Sequence, residues 1–289
     1  MRFIHHRRSW TAVAAILAAA MAGAAVGPAR AALLFSDDFA YANGDLAGNG
    51  GGTGWLLGSV WTGGTGLTGN QVANPLPGTS GKSIQIARNS SVTSRPLNTT
   101  YTSGGATTYY LSFGFNASPF QGAGDGQYAG VSFYLASDGS NNLLGGMPGD
   151  SGGLGFDWTN RGAPFQPASD GTTYLTLLEI APGTTGTTSV RMFVTTDLSI
   201  SGTDLAATTP WDQMPNEANF SFDSVSFAGA YSSGSISVAG LAMADNPNDA
   251  VSFTQTAVPE PTAAILTAAA AGIGAAVLGR RRRPRPSAA

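Results

Sequence analysis

Thr107-Thr108-Tyr109-Tyr110-Leu111-Ser112-Phe113-Gly114-Phe115-Asn116 is the most regular pattern in the chain. Tyr109, Leu111, Phe113 and Phe115 alternate with Thr108, Tyr110, Ser112 and Gly114. That period of two marks a strand with one face on a core. Val131, Phe133 and Leu135 repeat it, and residues 83–88, 154–158, 172–180, 189–195, 220–227 and 235–243 read as further strands. Turn clusters separate them: Asp138-Gly139-Ser140-Asn141-Asn142, Pro182-Gly183 and Ser232-Ser233-Gly234. Residues 174–180 and 190–195 are spaced as a hairpin. Many short strands, with no amphipathic helical pattern between the two ends, predict an all-β sandwich.

Before these strands, Leu33-Leu34-Phe35-Ser36-Asp37-Asp38-Phe39 is a short β-type run. Residues 43–69 are crowded with glycine but punctuated by Trp55, Leu56, Leu57, Val60 and Trp61. That is too apolar for a linker and too glycine-rich for a helix, which predicts irregular loops and short strands docked on the core. The Ala239-Gly240-Leu241-Ala242-Met243 run blurs the last strand of the body.

Both ends of the chain carry an address. Arg2, His5, His6, Arg7 and Arg8 form a basic start, residues 11–26 an apolar stretch, and Ala29-Arg30-Ala31 a small-x-small cleavage site. Together they read as a secretory signal peptide over residues 1–31. Arg7-Arg8 leave general secretory and twin-arginine export both open. At the other end, Val258, Pro259, Glu260 and Pro261 precede an uncharged run at residues 262–279, and Arg280, Arg281, Arg282 and Arg283 follow. The run is about 18 residues, the lower limit for a helix crossing a bilayer. The arginines would stay in the cytoplasm and hold the preceding body outside. Pro259 and Pro261 keep the motif extended and accessible.

This order, a Val-Pro-Glu-Pro motif, a short apolar span and a terminal arginine cluster, resembles the PEP-CTERM sorting signal of Gram-negative bacteria. The resemblance implies an exosortase-type membrane enzyme as processing partner, beside signal peptidase and the export machinery. It also implies inner-membrane retention through one C-terminal transmembrane helix, followed by delivery to the cell surface or matrix, in association with exopolysaccharide and biofilm. The segment from Phe35 to Trp55, with Trp61-Thr62-Gly63-Gly64 after it, resembles ectodomains that are similar to laminin-G or concanavalin A-like jelly rolls. Residues 222–225 with 235–238 resemble the closing strands of the same lectin-like family. The expected layout is a signal helix at 1–31, a jelly-roll ectodomain at 32–257, and a sorting signal at 258–289 with its basic tail at 280–289.

Charge and residue inventory narrow the function. Of the 14 lysines and arginines only Lys82, Arg88, Arg95, Arg161 and Arg191 lie between the two addresses, against 17 carboxylates that all precede the membrane run, a net charge of −12. Such a body repels nucleic acid. Cysteine is absent, which excludes thiol nucleophiles and thiolate metal sites. His5 and His6 are the only histidines and belong to the signal, so no imidazole remains for a triad, a zinc site or proton transfer. A glycosidase needs two paired carboxylates, yet Asp157, Glu179 and Asp223 stand isolated in the sequence. The expectation is therefore a non-catalytic, lectin-like module; a polysaccharide hydrolase or lyase and a purely structural surface protein are the alternatives. Calcium is the metal such a body could take without histidine or cysteine, with Asp138, Ser140 and Asn142 as the local candidate, although the spacing fails the EF-hand pattern. Trp211, between Pro210 and Asp212-Gln213, is the candidate for stacking on a sugar ring.

Overall fold

The computed structural model describes residues 33–64, 69–76, 81–88, 92–118, 128–137, 141–147, 153–157, 166–184, 186–231 and 233–255. The predicted signal peptide, the Val258 to Pro261 motif, the apolar span, Arg280 to Arg283, Asp138, Ser140 and Trp158 lie outside them. Among the described residues no helix is long and apolar enough to cross a membrane.

Two antiparallel sheets make up the body. The larger runs in the order β13 (Asp212–Glu217), β12 (Thr188–Thr195), β11 (Thr173–Pro182), β6 (Tyr109–Ser118), β15 (Ser235–Ala244), β4 (Ser83–Ile86), β3 (Gln71–Ala73) and β2 (Gly44–Asp45), with β1 (Phe35–Asp37) also on β15. The smaller runs β10 (Gln166–Pro167), β9 (Gly153–Asp157), β8 (Asn141–Met147), β7 (Tyr128–Tyr134), β14 (Ser221–Ala230) and β5 (Thr93–Thr102). Leu111, Phe113, Phe115, Leu178, Ile236 and Val238 of the first sheet share one core with Val131, Phe133, Leu143, Val225 and Phe227 of the second. The stretch that opened the sequence reading is thus the middle of the nine-stranded sheet, and the 174–180 hairpin forms as predicted, Glu179 opposite Arg191.

Two helices that the periodicity did not announce, α1 (Gly202–Ala206) and α2 (Pro247–Gln255), lie on the nine-stranded sheet. They are too short to show an amphipathic repeat. Leu205, Ala250 and Val251 meet Leu175, Leu177, Phe193 and Ala244 in a second, smaller core on that sheet's outer face. This cover explains β15, which is a continuous central strand and not a blurred one. With core beneath and α2 above, both of its faces are buried, so small apolar residues replace the alternation. Gly240, at φ +50, carries a register shift there, and a Cβ at that position would stand 3.1 Å from the Thr254 Cα of α2.

The glycine-rich segment docks as expected, but only through its tryptophans. Trp55 and Trp61 enter the core beside Phe35, Phe39 and Phe227. Leu56, Leu57 and Val60, read from sequence as part of the same docking, face solvent because the chain turns back between Leu56 and Ser59. Asn141 and Asn142, read as turn, open strand β8.

Candidate functional site

The outer face of the six-stranded sheet follows from register. Val131 and Phe133 of β7 and Val225 and Phe227 of β14 point into the core, so Ser132, Ser224 and Ser226 stand on the opposite face. Ser226 pairs with Ser94 of β5 on one side and with Ser132 on the other, and Ser132 pairs with Leu144 of β8. One row therefore crosses four strands as Ser94, Ser226, Ser132 and Leu144, and reaches the β9 backbone at Asp157. Pro96, Ser224 and Tyr134 form the row above, and Ala228, Gly130 and Gly146 the row below.

Burial gives this face relief. Ser132, Ser224, Ser226, Gly130 and Ala228 are buried, whereas Ser94, Pro96, Tyr128, Tyr134 and Leu144 around them are partly exposed. The small side chains in the middle of the face are thus covered, and the larger ones around them reach solvent. Ser132 is 1% exposed and its Oγ has no hydrogen-bond partner. Leaving a buried hydroxyl unpaired costs about 1–3 kcal/mol. Both described helices lie on the other sheet, which leaves this face without helical cover among the described residues.

The sequence-predicted residues do not converge here. Trp211, the candidate for sugar stacking, is half-buried against the sandwich. Its backbone N–H donates to the Met192 carbonyl at 2.7 Å and its ring meets Tyr174 edge-on at 6.2 Å, because Asp212 already begins edge strand β13. Its indole nitrogen is buried without a partner. Glu179 lies on the outer face of the nine-stranded sheet in a bidentate pair with Arg191, at 2.6 and 2.8 Å. Asp223, on the other sheet, accepts from the Ala136 N–H at 2.8 Å and the Ser224 hydroxyl at 3.0 Å. Glu179 and Asp223 thus belong to different layers and do not pair. Of the calcium candidates, Asn142 alone falls on a described backbone. Among the described residues no three acidic or histidine side chains gather to hold a metal ion.

A second polar centre escaped the sequence reading. Asp37 is fully buried, and its carboxylate accepts from the Phe39 N–H at 2.9 Å, Tyr41 hydroxyl at 2.6 Å, Trp61 indole at 3.0 Å and Arg95 guanidinium at 3.3 Å. Arg95 also donates to the Gly51 and Ser59 carbonyls and stacks 4.6 Å from the Trp55 ring centre. Burial pushes the Asp37 carboxyl up, against the Tyr41, Phe39, Trp61 and Arg95 contacts that pull it down. Burial and the Asp37 charge hold the Tyr41 phenol well above its usual value. With every partner internal, this centre fastens the glycine-rich loop to the sandwich. Its signal was legible: Phe35 and Asp37 fall on one side of β1, which puts a carboxylate on the core side.

No family model matches the chain, and no curated protein matches it. Among solved structures the chain is similar to an endo-β-1,4-glucuronan lyase from the fungus Trichoderma reesei (TM-score 0.41, 10% identity, 70% of this chain and 93% of that one). It is also similar to the T. cruzi calreticulin globular domain (0.44, 9%, 66% and 86%) and to the metal-free carbohydrate recognition domain of Emp46p (0.36, 13%, 64% and 88%). At these identities and superpositions the likeness carries no argument about chemistry.

Proposed function

We propose that this is an exported, surface-sorted protein whose β-sandwich binds carbohydrate without cleaving it. The observation that supports binding is the outer face of the six-stranded sheet, where Tyr128 and Tyr134 of one strand are partly exposed and no helix lies among the described residues. Saccharides offer C–H faces to such phenol rings. The two-layer body is consistent with the jelly roll implied by the concanavalin A-like and laminin-G-like resemblance. Sorting rests on the two ends of the sequence: a signal peptide, then a PEP-CTERM-type tail for an exosortase-type enzyme, with transient inner-membrane anchoring and a destination in the surface or biofilm matrix. Helix α2, the last described element before Val258, lies on the nine-stranded sheet, on the far side of the sandwich from the candidate face.

Sorting is tested by expressing the chain with and without residues 259–289 in a Gram-negative host that carries an exosortase. The full chain should pass from membrane to surface, and the shortened one should go directly to the medium; identical partitioning would end the sorting reading. Retention on polysaccharide affinity gels tests binding. Cleavage is the second reading, because Asp157 falls at the end of the hydroxyl row. Steady release of new chain ends that D157N abolishes would replace binding by catalysis.

A further inference from the structure

Independently of what the body binds, we infer that Asn43 and Lys82 become joined by an isopeptide bond, formed through a succinimide at Asn43-Gly44. Lys82 is the only lysine in the chain. It stands just before β4, and its Nζ donates to Oδ1 of Asn43, the residue that precedes β2. The Asn43 side-chain nitrogen in turn donates to Asn74 Oδ1 at 3.2 Å, so both ends of the amide are held while its carbonyl faces the lysine. Gly44 follows Asn43, and glycine is the one residue with no side chain to keep its backbone nitrogen from closing on the preceding Cγ. Asn43 and Gly44 are both exposed, and a Cβ on Gly44 would meet nothing within 4 Å. Gly44 pairs with Val72 at the edge of the nine-stranded sheet, and a two-residue edge strand opens readily.

Bonds and atoms balance in two steps. The Gly44 nitrogen attacks Asn43 Cγ, its proton leaves with the side-chain amino group as ammonia, and a five-membered imide closes. The Lys82 amine then adds to the same Cγ, the bond from Cγ to the Gly44 nitrogen breaks, and that nitrogen takes a proton from the amine. The backbone is restored, an amide joins Cγ to Nζ, and one ammonia has been lost. Water competes for the imide and leaves aspartate or isoaspartate. Lys82 already addresses the Cγ carbonyl, and a group held in place acts at an effective concentration that a free one does not reach. The chain's other Asn-Gly pair, Asn49-Gly50, lacks this arrangement. Asn49 is half-buried, and its side-chain nitrogen is tied to the Asp45 and Leu46 carbonyls at 2.7 and 3.2 Å. The product would tie edge strand β2 to β4 across β3, a covalent staple in a body without cysteine.

The test incubates the full chain at about pH 9, where part of the lysine is unprotonated, and follows tryptic peptides by mass spectrometry. The expected product runs through an uncut Lys82 to Arg88 and is lighter than its sequence by one ammonia. A further chymotryptic cut between Asn43 and Lys82 should leave its pieces joined. Lys82→Arg keeps a charged donor toward Asn43 but supplies no free amine at this pH. In that variant the joined peptide should vanish, with aspartate and isoaspartate at Asn43 in its place. Asn49 should outlast Asn43 in both proteins. Hydrolysis alone at Asn43 of the parent would overturn the cross-link. So would a peptide cut normally after Lys82 yet lighter by one ammonia, which is a succinimide that the amine never opened. A joined peptide that persists in Lys82→Arg would overturn the assignment to Lys82, and an unchanged Asn43 would overturn the whole inference.

Discussion

Asp37 can be ionised at zero exposure because Arg95 and three further donors surround its carboxylate. Removing one partner of a buried ion pair costs about 3–5 kcal/mol, since the other charge is stranded. Arg95→Met keeps much of the stem over Trp55 but withdraws the charge, so it should lower stability by about that amount at neutral pH. The pH dependence has a definite sign. Burial already holds the Asp37 carboxyl above its ordinary 3.8, so its contribution is full below the unfolded value and is lost as pH rises through the folded one. Without Arg95 the carboxyl rises further, and protonation then relieves the stranded charge. The deficit of Arg95→Met relative to the parent should therefore shrink as pH is lowered toward about 4.5. Urea unfolding of both proteins at each pH measures this; a deficit independent of pH would mean that lost packing on Trp55, not charge, is the cause.

Gly54 joins the glycine-rich segment to β1. Its φ is +77, and a Cβ there would fall 1.9 Å from the Leu34 carbonyl oxygen, a backbone atom that cannot swing aside. Gly54→Ala should cost more than the roughly 1–3 kcal/mol of backbone strain alone. It should also free Trp55 and Trp61 to water, seen as a red shift in fluorescence before the sheets unfold; a single unshifted transition would show that the segment does not detach separately. The docking of this segment was legible because two tryptophans in so many glycines need a core. Strands β6 and β7 were legible for the same reason, since Leu111, Phe113 and Phe115 on one and Val131 and Phe133 on the other send every large apolar side chain into a single core. Strands β5 and β13 were not. Pro96 and Pro215 break their patterns, and both strands lie at the end of their sheet, where a missing N–H is tolerated. The candidate face was hidden more deeply, because Ser94, Ser132 and Ser226 become neighbours only through strand pairing between distant parts of the chain.

Across the sandwich, tyrosines tie layers and loops together by donating. Tyr41 donates to Asp37, Tyr101 to the Leu34 carbonyl at 3.2 Å, and Tyr231, just after β14 of the six-stranded sheet, to the Ile86 carbonyl of β4 in the other. Burial raises all three phenols above their ordinary 10.0; the Asp37 charge adds to the effect at Tyr41, and Tyr109 adds to it at Tyr101. Burial and then Glu179 do the same for Tyr110. A raised folded value means the native protein keeps the proton while the unfolded chain gives it up. The stabilisation is therefore complete below about pH 10 and is lost as pH climbs beyond it. A phenolate also cannot donate to a carbonyl, so ionisation and separation of the sheets should occur together. Four of the eight tyrosines should thus resist titration until the fold gives way, and the urea midpoint should fall steeply above pH 10. Tyr231→Phe should be less stable than the parent at neutral pH, having lost its bond to Ile86, yet decline more gently in alkali because one ionising group is gone. Phenolate difference absorbance recorded alongside far-ultraviolet circular dichroism separates the outcomes. Ionisation of all eight phenols near pH 10 with the β signal intact would show that these hydroxyls are not holding the layers together.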